Sequence, residues 1–350
     1  MSDQPEKHPH EDVLDESLSR LAATGPEFLG GLSNHGPMAA EAMIRLGRPD
    51  EVEPWLDGYL SQLEDAPRAT GRITDQTWSD ALGKPGRVAD WELYLGDQLA
   101  DEPWQQVLAR WWPRLVPGLA AAATHGIIRT SHAARSLAAA STDERTAELA
   151  RGLAYWAASY LEIPGSPRTA GRLDLDAAVA GLPVAAGPVP PGLITERLRT
   201  ALADEPGFPA AVSALRPPAD VPADLLDLAA GFARVFLVYG RTQPIDFLHA
   251  VTAPVAARSV LPLLPAELAR PSYDALWQVA AGLYSAYAVD AVPEALPHGE
   301  PPEPAVLADR AIATGDVHAI KLTEACLRLY AESPDPVLLH AAARGSELLG

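Results

Sequence analysis

The chain lacks the features that mark secreted and membrane proteins. It has one cysteine, Cys326, so no internal disulfide can form, and nothing else indicates an oxidising compartment. No run of about 18 uncharged apolar residues occurs, which argues against a membrane span. The opening residues, MSDQPEKHPHEDVLDES, have no apolar core and do not resemble a secretory signal. We therefore expect a cytoplasmic protein.

Positive charge is also scarce. The formal net charge is −19, so binding to phosphate backbones or anionic lipid would have to overcome general repulsion. Neither nucleic acid nor membrane is expected as a partner. Only three residues are lysines, against 24 arginines. A lysine that persists in such a chain suggests a role that arginine cannot fill, such as a neutral or covalently modified amine, and Lys321 is the candidate.

Familiar cofactor and catalytic motifs are missing. The sequence has no G-x-G-x-x-G after a strand and no G-x-x-x-x-G-K-[ST], which removes the main support for dinucleotide or nucleoside triphosphate binding. The motifs G-x-S-x-G, H-E-x-x-H and C-x-x-C are absent too. Any chemistry must therefore use a less standard arrangement of residues.

Apolar residues recur at helical spacing almost throughout, whereas period-two alternation with β-branched residues is missing, so no sheet is predicted. Helices are predicted over 37–46, 50–64, 91–98, 103–112, 118–139, 143–161, 171–182, 191–204, 220–240, 245–260, 264–288, 303–313, 316–331 and 335–346. Residues 65–90 are predicted as a long ordered loop. The proline-rich stretches 183–191 and 292–304 are predicted as stiff connectors.

These patterns predict an all-α fold, a multi-helix array whose core draws on 48% apolar residues. Residues 1–20 are expected to form a flexible acidic arm, in which His8 and His10 are tail residues rather than ligands. Residues 21–350 are expected to form one helical domain.

Several histidines lie in apolar helical sequence. In THGIIRTSHAARSL, His125, Arg129 and His132 occupy positions i, i+4 and i+7 and so face the same way on a helix. Three further candidates and a lysine lie elsewhere, namely His35 in NHGPMAAE, His249 in FLHAVTAP, and His318 and Lys321 in GDVHAIKL. His298 and His340 are predicted to be surface residues.

Each of these histidines alone could be a core residue that donates to a backbone carbonyl. Four or five such positions are harder to explain separately, because a buried polar group without a partner costs roughly 1–3 kcal/mol. One shared metal ion would satisfy them together, since neutral imidazole is a common ligand of zinc, copper, iron and nickel. We therefore predict a central metal site between helices.

Lys321 follows His318 at i+3, a spacing at which two side chains converge on one ion in helical bundles. A protonated lysine would repel a metal. A buried neutral amine can instead combine with carbon dioxide to give a carbamate, whose carboxylate is a reasonable oxygen donor. The alternative is a lysine whose amine reaches solvent, as helical lysines usually do.

At these residues the chain resembles the questin oxidase family, which includes enzymes of anthraquinone and aflatoxin-type polyketide metabolism. The matching segments run in family order over roughly residues 25–345, and they are NHGPMAAEAMIRLG (34–47), ATHGIIRTSHAARSL (123–137), LAYWAASYLE (153–162), FLHAVTAP (247–254) and GDVHAIKLTEACLRLY (315–330). The resemblance implies an oxidoreductase that uses molecular oxygen to cleave or oxidise a ring of an aromatic, anthraquinone-like polyketide. Such an enzyme would be a dioxygenase or a Baeyer–Villiger-type monooxygenase.

Carried over by motif, the resemblance also implies a non-haem Fe(II) centre whose ligands are His35, His125, His249, His318 and a carboxylated Lys321. Fungal relatives tend to have a second histidine where Arg129 stands. This departure leaves open whether His132 substitutes for that histidine and which substrate is accepted.

Arg129 and His132 are the candidate catalytic residues. Arg129 could stabilise a phenolate or the lysine carbamate through bidentate donors, or form an ordinary surface ion pair. His132 could act as a base or proton shuttle, or merely pack. Asp316 could orient a ligand histidine or cap the helix after Gly315. Four tryptophans could line an aromatic pocket or pack in the core, namely Trp111, Trp112, Trp156 and Trp277.

Two other functions stay open. A flavin- or NADPH-dependent Baeyer–Villiger monooxygenase would catalyse a similar reaction, although the dinucleotide fingerprint is missing. A non-catalytic helical ligand-binding protein would keep its histidines as independent core residues and would contain no metal. Activity that depends on NADPH would identify the first alternative. Bound metal in the purified protein would exclude the second, and its absence would support it. The substrate and the oligomeric state are not indicated by the sequence.

Overall fold

The computed structural model describes residues 9–187, 189, 191–289 and 292–350, except for the side chains of residues 9–11. The secondary structure of this part of the chain is predominantly α-helical, as predicted. The α-helices are α1 (Pro9–Leu21), α2 (Gly36–Arg45), α3 (Val52–Leu60), α4 (Trp78–Ala81), α5 (Val88–Asp101), α6 (Trp104–Leu115), α7 (His125–Ala139), α8 (Asp143–Ala158), α9 (Leu175–Ala180), α10 (Ile194–Ala203), α11 (Phe208–Ser213), α12 (Val221–Tyr239), α13 (Pro244–Val260), α14 (Ala269–Tyr287), α15 (Pro304–Thr314), α16 (Val317–Glu332) and α17 (Pro336–Leu349).

Four helices surround the region that the sequence singled out. Helix α2 contacts α7 and α16, and α13 contacts the same two, so the four helices form a closed ring. Outside the ring, α7 packs on α8, α12 on α13 and α17 on α16. One hydrophobic core, from Met38 to Ala343, runs through this arrangement. Burial of that apolar surface supplies most of the favourable folding free energy.

The N-terminal segment differs from the expected flexible arm. From Pro9 onward it is helix α1, whose Leu14 and Leu18 are buried beside Ala40 and Met43 of α2. Leucines at i and i+4 place one apolar stripe on the helix, and this stripe holds α1 against the ring. His8 and the side chain of His10 lie outside the described residues.

Two local predictions were wrong. Residues 118–139 are not one helix, because a 3-10 turn at Ala121–Thr124 precedes α7. The prediction of no sheet missed a two-stranded antiparallel hairpin of β1 (Glu27–Phe28) and β2 (Leu32–Ser33). Its tip needs positive φ at Gly30 and Gly31, a conformation that glycine adopts without steric penalty.

Smaller differences concern the connections. The predicted loop 65–90 contains the short helix α4 and ends where α5 begins at Val88. Helix α11 was not predicted. None of the helices in the described chain combines the length and the apolar character needed to cross a bilayer.

Candidate metal centre

Four histidines from distant parts of the chain meet where α2, α7, α13 and α16 adjoin. The ring centroids are 4.5 Å apart for His35 and His125, 4.4 Å for His35 and His318, 4.6 Å for His125 and His249, and 5.7 Å for His249 and His318. One nitrogen from each of His35, His125 and His318 lies within 4.8 Å of the other two, close enough for the three to hold one metal ion. The four histidines that the sequence predicted as ligands are therefore brought together.

His125 follows a turn with an uncommon backbone. Ala122, Ala123 and Thr124 have φ values of 45°, 56° and 74°, in the left-handed region that residues with a Cβ disfavour. This turn directs the Ala122 carbonyl back to His125, whose Nδ1 lies 2.5 Å from that oxygen. Such strain persists only where surrounding contacts enforce it, and here it orients an imidazole.

His249 is oriented in the same way, from within α13. Its Nδ1 lies 2.5 Å from the Ile245 carbonyl, so Nδ1 carries the proton and donates to that oxygen. His125 donates to Ala122 by the same logic, and the Nε2 atom of each ring is then left with a lone pair. The two Nε2 atoms are 3.1 Å apart. Two lone pairs at that distance repel each other unless a cation lies between them.

The 3.1 Å separation suits adjacent ligands of one ion. With metal–nitrogen distances of about 2.1 Å, neighbouring nitrogens stand roughly 3.0 Å apart in octahedral geometry and about 3.4 Å apart in tetrahedral geometry. Backbone carbonyls that accept from the outer ring nitrogen are the usual means of orienting a metal-bound histidine.

His35 is fixed through its main chain, just before α2. The Asn34 side chain accepts from the Gly36 N–H at 3.0 Å and donates to the Gly25 carbonyl at 2.9 Å. The His35 N–H donates to the Tyr59 hydroxyl at 2.8 Å. Its own Nδ1 is buried and, among the described residues, has no hydrogen-bond partner. Hydrogen bonds thus fix the backbone on both sides of His35, while the Nδ1 atom of its imidazole is left without one.

His318 lies in the first turn of α16. Asp316 caps this helix by accepting from the His318 and Ala319 N–H groups at 2.7 and 3.0 Å, so the capping role predicted for Asp316 is confirmed. The same carboxylate oxygen is 3.6 Å from His318 Nδ1, which is too long for a hydrogen bond. Within the described chain that Nδ1 has no partner.

Lys321 is buried one turn further along α16, with 2% of its surface exposed. Its Nζ has no hydrogen-bond partner among the described residues, so the alternative of an amine in solvent is wrong. Burial lowers the pKa of Lys321 to about 7, and a large fraction of the amine is therefore neutral near pH 7. Loss of the proton avoids an unpaired buried ammonium ion.

Burial also makes the four imidazoles neutral. It lowers the pKa of His35, His125 and His249 well below the ordinary value of 6.5, and neighbouring Lys321 and imidazole charges lower each further. The pKa of His318 is lowered by burial as well, while Asp316 partly opposes that change. Neutral imidazole is the form that binds metal.

Arg129 is paired within the protein. Its Nε and Nη2 donate to the two carboxylate oxygens of Glu148 at 2.6 and 2.9 Å, and both side chains are buried. Arg129 therefore does form an ion pair, but the prediction that this pair lies on the surface is wrong, because both side chains are buried. These two donors are engaged, and a catalytic role for Arg129 stays a prediction.

His132 belongs to a different cluster. It lies about 10 Å along α7 from His125, as two helical turns require, and within the described chain it has no ring contact with the four clustered histidines. Its Nδ1 is 3.0 Å from Glu41 Oε2. A cavity of about 10 Å³, large enough for one water, borders His132, Arg129 and Glu148. The predicted role as base or proton shuttle is compatible with that position and stays a prediction.

The remaining candidates do not join the centre. His298 is exposed and His340 is half-buried. The four tryptophans are fully buried, and each indole N–H donates within the protein, so core packing is the better description of Trp111, Trp112, Trp156 and Trp277. Sequence reasoning missed the strained turn before His125 and the support from Tyr59, neither of which has a sequence signature.

No protein-family model matches this chain, and a search of curated proteins finds no significant match. The likeness of its histidine-bearing segments to questin oxidases is therefore an expectation that the structure has to support on its own.

Proposed function

We propose that the protein is an oxygen-dependent oxidoreductase that cleaves or oxidises a ring of an aromatic, anthraquinone-like polyketide. The reaction would take place at a non-haem iron centre whose ligands are His35, His125, His249, His318 and a carboxylated Lys321. The two facing Nε2 atoms of His125 and His249, 3.1 Å apart, are the observation that carries the proposal. Their donors and their distance are those of two ligands of one cation.

The other polar atoms support the same conclusion. His35 Nδ1, His318 Nδ1 and Lys321 Nζ are buried and, in the described chain, unpartnered. Leaving three such atoms unpaired costs roughly 1–3 kcal/mol each. A single bound ion with its bound solvent would satisfy this set, whereas independent core histidines would each need a separate partner.

Lys321 would contribute an oxygen ligand after modification. Its neutral amine would attack the carbon of carbon dioxide, so that a nitrogen–carbon bond forms while one carbon–oxygen π bond breaks, and the nitrogen would then lose one proton to water to give an N-carboxylate. The neutral amine of Lys321 would thereby become an anionic carbamate, whose negative charge would partly offset the positive charge of the metal ion. Four imidazoles and one carboxylate form a mixed nitrogen and oxygen donor set that suits iron, although zinc and copper bind imidazole as well.

Iron would supply the ability to activate molecular oxygen. The residues themselves would hold the ion, because backbone carbonyls orient two of the rings and hydrogen-bonded turns position the other two. Their burial excludes bulk water, which strengthens every electrostatic interaction at the centre.

The first experiment measures metal content. We expect protein purified under conditions that retain iron to contain about one equivalent, and chelation to abolish oxygen consumption with a hydroxylated anthraquinone. Lys321→Arg keeps the positive charge but cannot form a carbamate, so most of the iron should be lost. Lys84→Arg, at an exposed position, is the matched control and should retain it.

A second measurement tests the modification directly. Zinc-loaded protein equilibrated with ¹³C-bicarbonate should show a carbamate resonance in ¹³C NMR that is absent in Lys321→Arg. Full iron content in Lys321→Arg would exclude lysine as a ligand. Metal-free protein under all conditions would favour a ligand-binding protein, and stimulation by NADPH would favour the flavin- or NADPH-dependent monooxygenase.

A further inference from the structure

A second group of polar residues lies one helical turn from the histidines. Asp246 precedes His249 by three residues on α13, so the two side chains share one side of that helix, about 4.5 Å apart along its axis. The Asp246 carboxyl interacts with the Tyr287 hydroxyl at the end of α14, and both residues are buried. These residues have no part in holding the proposed ion.

Arg197 of α10 completes this group. Its Nε donates to the Ala286 carbonyl at 3.2 Å, next to Tyr287, and its charge acts on the Tyr287 hydroxyl. Its Nη2 is buried and has no hydrogen-bond partner among the described residues. A charged donor that is buried without an acceptor is costly, and it indicates an acceptor that the described residues do not provide.

Asp246 and Tyr287 can donate as well as accept. Burial raises the pKa of Asp246 to about 6, and hydrogen bonding from Tyr287 offsets part of that rise. Burial and the neighbouring carboxylate raise the pKa of the Tyr287 phenol, so it keeps its proton. The group thus offers a cationic donor, a neutral donor and a carboxyl within one small region.

Two exposed apolar residues lie close along the chain to members of this group. Ile245, 37% exposed, adjoins Asp246, and its carbonyl orients His249. Leu193, 39% exposed, immediately precedes the helix that carries Arg197. Leu193 also meets the tip of the β1–β2 hairpin, where a Cβ on Gly31 would lie 2.9 Å from its Cδ1. The hairpin ends two residues before His35. Leu193 is thus linked to His35 through the hairpin, and Ile245 is linked to His249 through its carbonyl.

We propose that Arg197, Asp246 and Tyr287 bind the phenol and quinone oxygens of an aromatic substrate, while Leu193 and Ile245 contact the face of its rings. A phenolate or carbonyl oxygen would accept from Arg197 Nη2, and a phenol O–H would donate to Asp246. Binding there would hold one edge of the substrate a helical turn from His249. This assignment rests on the proposed function, because it takes its substrate class from it.

The test uses alizarin, a dihydroxyanthraquinone that absorbs visible light, titrated into metal-free protein without oxygen. Arg197→Leu removes the buried donor, and we expect the dissociation constant to rise roughly tenfold or more. Arg199→Leu, at an exposed position two residues along the same helix, is the matched control and should bind as the wild type does. Tyr287→Phe retains the ring and should weaken binding several-fold.

Two further variants test the contact proposed for Leu193. Leu193→Ser should weaken alizarin binding a few-fold, whereas Leu93→Ser, at an exposed leucine of α5, should not. Circular dichroism shows whether each variant is folded. Tyr287→Phe removes one hydroxyl only, so it keeps the test decisive if Arg197→Leu does not fold.

The outcomes separate this inference from the proposed function. Wild-type affinity in both Arg197→Leu and Tyr287→Phe, alongside iron-dependent turnover, would overturn the substrate site and leave the oxidase proposal standing. Loss of affinity in those variants without oxygen consumption by the wild type would support the site and overturn the oxidase. Absence of alizarin binding by the wild type would overturn the site.

Discussion

Helix α7 carries two buried histidines, two turns apart, in opposite surroundings. His125 faces three other imidazoles and Lys321, and among the described residues no carboxylate forms a hydrogen bond with His35 Nδ1, His318 Nδ1 or Lys321 Nζ. His132 faces Glu41, which also accepts from Arg135. Among the described residues, His35 Nδ1, His318 Nδ1 and Lys321 Nζ of the first region lack hydrogen-bond partners, whereas in the second region Glu41 and Glu324 accept from His132 and Arg135, of which Arg135 Nε stays unpaired.

The paired network extends well beyond His132. Arg45 donates to Glu41 at 3.0 Å, and Arg135 joins Glu41 to Glu324, which accepts from Arg328 as well. The difference shows that burial of a histidine does not by itself identify a ligand. The missing partners around His125 distinguish the two, and the predictions below test that distinction.

The largest effect is expected from breaking the paired network. Glu41→Ala would leave Arg135 with Glu324 as its one remaining carboxylate and His132 without its acceptor, and removal of one partner from a buried ion pair costs about 3–5 kcal/mol. We expect the free energy of unfolding, measured by urea denaturation, to fall by that amount. Glu53→Ala removes an exposed carboxylate and should change it by less than about 0.5 kcal/mol. Similar values for the two variants would contradict the importance of the network.

The unpaired cluster should instead gain stability from an added ion. At a free Zn²⁺ concentration about 100 to 1,000 times the dissociation constant, wild-type protein should gain about 2.7–4.1 kcal/mol in unfolding free energy. His249→Ala should lose this gain, whereas His132→Ala should keep it although His132 is also buried. An equal loss in both variants would place His132 among the ligands.

The two regions also differ in the sign of a carboxyl pKa shift. Arg135 and His132 hold the pKa of Glu41 well below its ordinary value, so its stabilising contribution is lost as the pH falls. Burial raises the pKa of Asp246 from 3.8 to about 6, so its carboxyl favours the folded state at low pH and that contribution is lost as the pH rises through about 6.

Asp246→Asn should therefore match the wild type in stability below about pH 4. Above about pH 6 the variant should be more stable by about 2–3 kcal/mol, because the penalty of a buried carboxylate is removed. Thermal unfolding of metal-free protein from pH 4 to 7 measures the difference. Asp97→Asn is the exposed control and should follow the wild-type curve. If the stability of Asp246→Asn changed with pH in the same way as that of the wild type, the pKa of Asp246 would not be raised.

The smallest effect concerns the turn that orients His125. Ala123 has a φ of 56°, and relief of that strain by Ala123→Gly should stabilise metal-free protein by about 0.5–1 kcal/mol. Ala138→Gly, at an exposed position of α7, the helix that follows this turn, should destabilise the protein by about 1 kcal/mol. If calorimetry shows that Ala123→Gly raises and Ala138→Gly lowers the stability, the strain at Ala123 is confirmed. Equal destabilisation by the two substitutions would exclude it.

Much of the fold follows from local patterns that the sequence displays. Apolar spacing predicted the ring helices α2, α7, α13 and α16, and the cap was one of the two roles considered for Asp316. The four predicted ligand histidines converge because each stands on the inner side of one of these helices or at its start. Their use by a metal stays a prediction.

Other features depend on contacts between distant residues. The alanines at 121–123 favour a helix, and the left-handed turn there exists because α10 and α13 pack against it. The pairs Arg129 with Glu148 and His132 with Glu41 join different helices, so no local spacing predicts them. The hairpin had a usable indication, since Gly30 and Gly31 separate two apolar residues.

The positions of the four imidazoles along the chain bear on how the protein would acquire an ion. Residues 35, 125, 249 and 318 span most of the sequence, so their meeting closes very large loops. Contacts of such long range form slowly, after the helices between them have docked. We therefore expect an ion to enter an already assembled scaffold, leaving the refolding rate unchanged and slowing only the unfolding rate.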